Sequence, residues 1–492
     1  MSIWKRKPLA QLLAEAADSE KGLKRTLTAW SLIALGIGAI IGAGLFVRTA
    51  TAAAQNAGPS VTIAFIVAAI GCALAGLCYA ELSSSIPISG SAYTYTYATM
   101  GEFLAWIIGW DLILEYAVGA ATVGIAWSEY LNNLLTNVLH MAPIPYGLCH
   151  SPFQTSLTGE HGMINLPALF IVGVISLLLI KGIHESAFVN GIIVIVKVII
   201  VVLIIVVGWN FINPVNHTPY IPAPSIFTDE HGVGHAYGGI MGILGAAGTV
   251  FFAFIGFDAV STAAQETINP KKNMPIGILG SLAVCTVLYI LFGHVLTGLE
   301  PVEFFRTSGK EASVANAIIA AMGASYNWLA QFVTVAILAG FSSVILVMLL
   351  GQSRVFYSMG KDGLLPKMFS ELHPTYKTPY KANLAILVIV GAFAAFVPGD
   401  IVGDMTSIGT LFAFVLVCIS VIILRKKEPN MVREFKTPLV PFVPLLGVFV
   451  CCAMMYGLGW TNWLRLFAWM AIGVIFYFAY GKKNSVLNNP KK

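Results

Sequence analysis

Two interruptions in long apolar segments are the features of this chain best suited to binding a small solute. The first has the sequence GIGAIIGAG at residues 36–44, and the second has FAFIGFD at residues 252–258. In hydrocarbon every backbone N–H and C=O group needs a partner, so a helix unwinds there only where protein, water or a ligand supplies one. Amides freed around Gly42, Ala43 and Gly44 favour a carboxylate, and carbonyls freed at both breaks can hold an ammonium. The two breaks together predict a site for a zwitterion such as an amino acid, although close packing of small residues explains the first break alone equally well.

Ionisable side chains inside apolar segments are a second group of candidates. Lys197 lies about eight residues inside an otherwise uncharged apolar run, where a lone ammonium is costly. We therefore expect its proton release and uptake to be linked to a conformational cycle, unless the side chain reaches the membrane surface. Asp258 and Glu115 are expected to face the interior of the helix bundle, and Glu115 shares a helical face with Asp111. Glu115 suits a cationic side chain, or a proton when the solute is neutral; an internal salt bridge or a hydrogen bond to another helix is the alternative.

The elements that position these residues are predicted to be membrane-spanning helices. The chain has 492 residues, of which 57% are hydrophobic and 10% charged, and its mean hydropathy is +0.82. A span needs about 18 or more mostly apolar residues. The sequence therefore predicts an all-α polytopic membrane protein with twelve spans, at roughly 28–53, 61–85, 99–135, 165–181, 189–211, 239–267, 275–298, 326–358, 382–398, 401–424, 440–457 and 462–481.

The distribution of basic residues predicts the orientation. With an even number of spans both termini lie on one side, and most of the 28 Lys and Arg residues fall on that side. The positive-inside rule places both termini in the cytoplasm of a multi-pass protein of the cell membrane, the inner or plasma membrane. The net charge of +5 then reflects topology, and without a basic stripe we expect no nucleic-acid partner.

The interrupted spans are the first and the sixth, five apart, as expected for two five-span repeats of opposite orientation. Residues 8–17 and the basic residues flanking them suggest a helix along the inner membrane surface or, as the alternative, a frayed tail. The predicted organisation is an amphipathic cytoplasmic segment at 1–27, a transport core at 28–424 with repeats at about 28–211 and 239–424, two added spans at 425–481, and a cytoplasmic tail at 482–492.

Enzyme and metal chemistry are disfavoured. No His-Glu-x-x-His, Gly-x-Ser-x-Gly or P-loop pattern occurs, and the cysteines form no disulfide or metal spacing. His231 and His235 are separated by glycines and have no third ligand at a suitable spacing, so a solvated loop is the better interpretation than a zinc site. We expect no metal and no cofactor.

Three motifs make the chain resemble a known family. These are GIGAIIGAGLF at 36–46, FAFIGFDAVST at 252–262 followed by Glu266 and Asn269-Pro270, and GQSRVFYSMGKDGLLP at 351–366. In this order they resemble bacterial members of the cationic amino acid transporter family, within the amino acid–polyamine–organocation (APC) superfamily. The likeness runs from about residue 8 to the last span.

The resemblance implies a LeuT-like 5+5 inverted repeat with interrupted helices 1 and 6, plus two extra helices, and amino acid transport by alternating access. It implies carbonyls for the substrate amino group near Ile40, Phe252 and Ile255, and amides for its carboxylate at Ala43 and Gly44. The residues expected to bind substrate are Ile40, Ile41, Gly42, Ala43, Gly44, Glu115, Phe252, Ala253, Ile255 and Asp258.

The same resemblance assigns the coupled proton to Lys197 and makes Glu115 and Asp258 acidic residues of the pocket. Relatives commonly have a hydroxyl residue where this chain has Ala43, so one hydrogen bond to the carboxylate is missing here. Bacterial members of this branch include carriers of neutral amino acids, so the family leaves the side chain of the substrate open.

The preferred hypothesis is therefore a proton-coupled amino acid symporter with no enzymatic activity. Ser342 and Ser343 offer hydroxyl groups for a sodium site with carbonyls of the first span, but a nearby lysine ammonium would occupy that space and repel sodium. Uniport and exchange also remain open. A sensor that binds without transporting lacks its usual large soluble output domain, and the sequence does not define the oligomeric state.

Overall fold

A computed structural model of the chain describes residues 3–8, 26–86, 90–156, 158–182, 187–229, 232–307 and 312–489. In its first half the α-helices are α1 (Ala29–Ile40), α2 (Thr49–Ala52), α3 (Val61–Ser85), α4 (Ser91–Thr99), α5 (Glu102–Leu112), α6 (Gly119–Asn133), α7 (Tyr146–Cys149), α8 (Leu166–Ile180) and α9 (Ala187–Gly208). Helical turns of π type at Gly44–Arg48 and Ala53–Ala57 flank α2, and another at Ile113–Val118 joins α5 to α6.

The second half continues with helices and one small sheet. The helices are α10 (Gly239–Phe251), α11 (Ala259–Thr262), α12 (Pro270–Leu299), α13 (Val302–Arg306), α14 (Ser313–Met322), α15 (Asn327–Lys361), α16 (Tyr380–Phe396), α17 (Gly399–Lys427), α18 (Phe442–Gly457), α19 (Trp460–Phe476) and α20 (Lys482–Asn484). Strands β1 (Ser225–Thr228) and β2 (Gly234–Tyr237) pair antiparallel between α9 and α10.

The chain is a mostly helical, polytopic membrane protein. Among the described residues, eight helical segments are long and apolar enough to cross a membrane by length and composition, and five further apolar helices have 10–17 residues. One segment, Gly44–Ser85, runs from the end of the first predicted span through the second, and the short helix Ser313–Met322 lies outside the predicted spans. The count of twelve and the inverted repeat remain predictions.

Two of the boundaries that differ from the prediction have a clear local cause. The third span was expected to begin at residue 99, but α4 ends at Thr99 and α5 begins at Glu102. The helix breaks at Gly101, which has φ +108° and against which the backbone of Trp4 packs closely. The seventh span begins at Pro270, five residues before the predicted residue 275, because proline is accommodated at a first helical position.

The core forms where α12 packs against α3 and α1. Along α3 the small residues Ala64, Ala68, Cys72 and Ala75 have no solvent exposure, and a Cβ added to Gly76 would lie 2.8 Å from a methyl group of Leu282 in α12. Small side chains let helix backbones approach closely in a membrane, where van der Waals packing takes over from the hydrophobic effect. The first span is thereby held beside the seventh.

Both described end segments lie at one face of the molecule, which we name the terminal face. The Lys5 ammonium donates to the Leu487 carbonyl at 2.6 Å, and Lys7 forms an ion pair with Asp362 at 2.8 Å. Ser485 is buried and donates to Glu102. Of the predicted amphipathic segment 1–27, residues 9–25 lie outside the described residues.

The β-hairpin marks the opposite face, which we name the hairpin face. It covers the end of the first span, where the Gly238 amide donates to the Asn56 carbonyl at 2.7 Å. His235 approaches Asp229 at 2.8 Å, and His231 lies outside the described residues. Within the part of the chain that the structure describes, no three His, Cys, Asp or Glu side chains are grouped to hold a metal ion.

Candidate functional site

The first span is interrupted within its glycine-rich segment. Helix α1 ends at Ile40, the Ile41 backbone is extended with ψ 102°, and helical winding resumes before the π-type turn that starts at Gly44. The first amides of a helix have no acceptor within it, so those of Ala43 and Gly44 are available to a ligand. Conversely, the last carbonyls of α1 lose the amides that a continuous helix would supply.

The sixth span is interrupted where the aromatic motif predicts. Helix α10 ends at Phe251, a single 3₁₀ turn covers Phe252–Phe254, and α11 begins only at Ala259. Between them Gly256 has φ +114°, a conformation that costs glycine little because it has no Cβ. The break is therefore a backbone turn at membrane depth with its own free polar groups.

The two breaks lie against each other. A Cβ added to Gly44 would overlap the backbone of Ala253, and one added to Gly256 would come within 3.0 Å of the carbonyl group of Ala39. The absence of side chains at these two glycines thus allows direct backbone contact between the spans. Ile40 and Ile255 are each only 2% exposed, so the freed polar groups are shielded from bulk solvent.

Tyr289 of α12 ties the two breaks together. Its hydroxyl lies 3.0 Å from the Ile40 carbonyl and 3.0 Å from the Ala253 carbonyl. In a continuous helix the Ile40 carbonyl would accept from the Gly44 amide, so the tyrosine replaces a bond that the break removes. Tyr289 lies outside the sequence motifs and was not predicted. Its only signal in the sequence is a hydroxyl within an apolar run, because a buried tyrosine hydroxyl needs a hydrogen-bond partner.

Tyr289→Phe is expected to lower the stability of the protein and its apparent affinity for substrate without abolishing binding. Loss of a buried hydroxyl that serves two carbonyls costs about 1–3 kcal/mol, so we expect a lower thermal unfolding temperature and a substrate KM raised at least about fivefold. The measurements are thermal denaturation in detergent and the concentration dependence of uptake. Tyr456→Phe, at a position 67% exposed, is the matched control; identical behaviour of the two variants would contradict the bridging role.

Lys197 contacts the same broken end of α1. Its ammonium donates to the Gly38 carbonyl at 2.7 Å, and the side chain is 3% exposed. The helical partner of that carbonyl would be the Gly42 amide, which lies beyond the end of α1. A cation at the carbonyl end of a helix is also favoured by the helix dipole. The aliphatic part of the side chain packs on Gly340 of α15, where an added Cβ would lie 2.8 Å from the lysine Cε.

Two acidic side chains meet beside the second break. Asp258 and Glu115 are fully buried, and their carboxyl groups are within hydrogen-bonding reach of each other. Tyr116 donates to Asp258, and the Ser91 hydroxyl lies 3.5 Å from the same carboxyl oxygen. No other described donor reaches the oxygens of Glu115. As two ions neither carboxylate can donate, whereas a single proton between them allows a hydrogen bond.

The remaining predicted residues lie around this centre. Asp111 packs against Gly409 of α17, so its carboxyl group points to a different neighbour than that of Glu115. Ser342 donates to the Leu338 carbonyl of its own helix at 2.9 Å, and Ser343 is buried. The Lys197 side chain lies between the first span and α15, where it contacts Gly38 and Gly340.

The arrangement combines three kinds of group within one buried region. Free amides favour an anion, free carbonyls favour an ammonium, and Lys197 and the carboxyl pair can bind or release protons. Such a set is chemically suited to binding the two charged ends of a small zwitterion.

The chain is similar to known transport proteins over nearly its whole length. A family model described as amino acid permease matches residues 27–476. The chain is 43% identical to the branched-chain amino acid permease BcaP of Bacillus subtilis (strain 168) and 41% identical to the methylthioribose transporter of the same strain, each over 99% of both chains. It is 33% identical to the vacuolar cationic amino acid transporter 4 of Arabidopsis thaliana, over 87% of this chain and 68% of that protein.

Proposed function

The chain belongs to the amino acid permease family, and from this premise we propose that it imports a neutral amino acid together with a proton by alternating access. Amino acid transport follows from the family. The observation that carries the finer proposal is the contact between the two helix breaks, with the Lys197 ammonium on a carbonyl that one of them frees.

The backbone groups of the breaks divide between the two ends of the substrate. The amides of Ala43 and Gly44 donate to its carboxylate, because they lie at the positive end of the second half-helix. The carbonyls of Ile40, Phe252 and Ile255 accept its ammonium. A carbonyl oxygen has two lone pairs, so the Ile40 carbonyl binds substrate while it keeps the hydrogen bond from Tyr289.

Lys197 couples the proton to the conformational change. In its charged form it caps α1 at Gly38 and holds the first span against α9 and α15. When it releases its proton, the charge-assisted hydrogen bond weakens and the half-helix is freed to move. Movement of α1 away from α9 opens the site, so proton release and substrate release occur on the same side of the membrane.

Ion pairs on both sides of the breaks fit alternating access. Towards the hairpin face, Arg48 pairs with Asp404 of α17. Towards the terminal face, Glu266 lies 3.4 Å from Arg354 of α15. Each pair links an interrupted span to a continuous helix, and opening of one side requires only the pair on that side to separate. By the distribution of basic residues, we assign the terminal face to the cytoplasm.

A neutral side chain fits the carboxyl pair better than a cationic one. One proton shared by Glu115 and Asp258 satisfies both groups and leaves a less polar wall beside the substrate. BcaP, at 43% identity, is described as a permease for branched-chain amino acids. We therefore assign leucine, isoleucine and valine as the preferred substrates.

Glu115→Gln tests this assignment. A glutamine amide donates to Asp258 as a protonated glutamic acid does, so leucine uptake is expected to stay within about twofold of wild type. Any uptake of lysine or arginine is expected to fall far more, because the pair can no longer lose its shared proton and offer a second negative charge to a cationic side chain. Initial rates in proteoliposomes measure both. A collapse of leucine uptake would show that Glu115 must be ionised, and equal losses for leucine and lysine would argue against a role in side-chain recognition.

Transport in proteoliposomes under separate ion gradients tests the coupling. Purified protein is expected to accumulate leucine when the outside is acidic, in sodium-free buffer. Uptake that follows a sodium gradient and ignores the pH gradient would reject proton coupling. Equilibration without accumulation would indicate uniport, and a requirement for internal amino acid would indicate exchange.

Methylthioribose is a second candidate substrate. The relative with 41% identity is described as its transporter, and Ala43 lacks the hydroxyl that family members commonly offer to a carboxylate. A solute without a carboxylate would not use that hydroxyl, so its affinity does not depend on the residue at position 43. The two substrates are distinguished by measuring leucine uptake with methylthioribose as competitor, and methylthioribose uptake with leucine as competitor. Uptake of methylthioribose that leucine does not inhibit, with no uptake of leucine itself, would exclude the amino acid.

A further inference from the structure

A groove lined by basic and apolar residues lies at the terminal face, away from the substrate site. It has a volume of about 630 Å³ and runs between the start of α12 and the segment that connects α17 to α18. Lys271 and Lys272 line one end of it and Ile276 and Leu279 line the other, while Phe435 of the connecting segment contributes to the opposite wall.

The lining residues follow one side of α12. Lys272, Ile276 and Gly280 are spaced four residues apart, so they lie on one helical face. The residue before each of them, Lys271, Pro275 and Leu279, also lines the groove, so the lining face is broader than a single row. At 1.5 Å per residue, the lysines are about 12 Å from Gly280 along the helix axis. Charge therefore gives way to apolar surface along the groove, as it does along a phospholipid from headgroup to acyl chain.

The charges at the rim are not fully compensated within the protein. Lys271 pairs with Glu434 at 3.3 Å, and both side chains are about half exposed. Lys272 is exposed and makes no ion pair with any described residue. The lysines belong to the first turn of α12, the end at which the helix dipole adds positive potential.

The groove also lies at the level where the membrane surface is expected. The Leu27 carbonyl accepts from the Ile268 amide at 2.9 Å, so the start of the first span is joined to the segment just before α12. Trp30, close to that junction, is 79% exposed, as is usual for a tryptophan at the membrane interface.

From this combination we propose that the groove binds one anionic phospholipid of the cytoplasmic leaflet, with its phosphate at Lys271 and Lys272 and an acyl chain along Ile276 and Leu279. Basic pockets on the cytoplasmic side of membrane proteins are suited to such headgroups. The lipid would contact the junction of the first, sixth and seventh spans. Its presence is therefore expected to change the rate at which the terminal side opens.

The binding test requires no knowledge of the transported substrate. Purified full-length protein is mixed with equimolar phosphatidylglycerol and phosphatidylcholine of the same acyl chains, and retained lipid is measured by native mass spectrometry. Wild type is expected to retain phosphatidylglycerol preferentially. A lysine near a membrane surface contributes about fivefold in affinity, so the double variant Lys271→Gln/Lys272→Gln is expected to retain it about 30-fold less strongly.

The controls separate this site from general surface charge. Lys367→Gln/Lys426→Gln removes two exposed charges elsewhere and is expected to match wild type. Ile276→Ser keeps the charges and is expected to lower retention severalfold by removing acyl contact. Equal retention of both lipids, equal losses in the two double variants, or full displacement of the lipid by millimolar inorganic phosphate would overturn the proposal. The experiment measures lipid binding and not transport, so its result can be interpreted even if the proton-coupling proposal is wrong.

Discussion

Lys197→Ala is expected to abolish accumulation of substrate driven by a pH gradient, while exchange of substrate across the membrane continues. In the wild type, a pH difference of one unit supplies about 1.4 kcal/mol per proton and supports an accumulation of about tenfold. The alanine variant has no group at Gly38 that gains and loses a proton. The ratio of internal to external leucine should therefore fall to about one at the same gradient.

The measurement is uptake into proteoliposomes with and without a proton ionophore, beside counterflow with leucine loaded inside. Lys181→Ala, at an exposed position just after α8, is the control for loss of a lysine as such. Gly340→Ala is a finer test, because it keeps Lys197 but places a methyl group against its side chain. It should reduce coupling without removing binding. Full accumulation by Lys197→Ala would exclude Lys197 as the coupling group.

The positions of both helix breaks were predictable because their causes are local. Glycines at 36, 38, 42 and 44, and an aromatic motif containing Gly256, are visible in a single stretch of sequence. Helix α1 ends within the first motif, at Ile40, and helix α10 ends at Phe251, directly before the second. Backbone freedom at glycine and the need to satisfy polar groups in hydrocarbon are enough to locate such sites.

The partners of the freed groups were not predictable, since they come from distant parts of the chain. Tyr289 is 249 residues from Ile40, and Lys197 is 159 residues from Gly38. The sequence indicated that Lys197 is buried but not which carbonyl it caps. Nothing in the pattern around Tyr289 distinguished it from an ordinary core tyrosine.

Short helices outside the predicted spans were missed for a different reason. Helix α14, Ser313–Met322, has 10 residues and falls below the length that a membrane span needs. Helix α4 is rich in tyrosine and threonine, and its buried polar face carries no simple periodic signal. Its first residue, Ser91, nevertheless reaches Asp258 in the centre of the protein. Hydropathy places α4 in a loop, whereas tertiary packing makes it a buried helix that contacts the centre of the protein.

Gly44→Ala is expected to cause the largest loss of transport of any single methyl addition considered. The added Cβ would overlap the Ala253 backbone, which has no rotamer with which to move aside, so the two breaks must separate. Overpacking of this kind costs about 1–3 kcal/mol, which corresponds to a fall of about 5- to 150-fold in kcat/KM. Leucine uptake and leucine-dependent thermal stabilisation measure the effect on transport and on binding.

Two other glycines turn this prediction into a graded test of the geometry. A Cβ at Gly42 would meet a Val344 methyl group at 3.2 Å, and a side chain can shift, so Gly42→Ala should give an intermediate loss. Gly173 in α8 has no described atom within 4 Å of an added Cβ, so Gly173→Ala should transport normally. If glycines were needed only for helix flexibility, Gly42→Ala and Gly44→Ala would lose similar amounts. The order Gly44, then Gly42, then Gly173 is expected only if direct backbone contact between the two breaks builds the site.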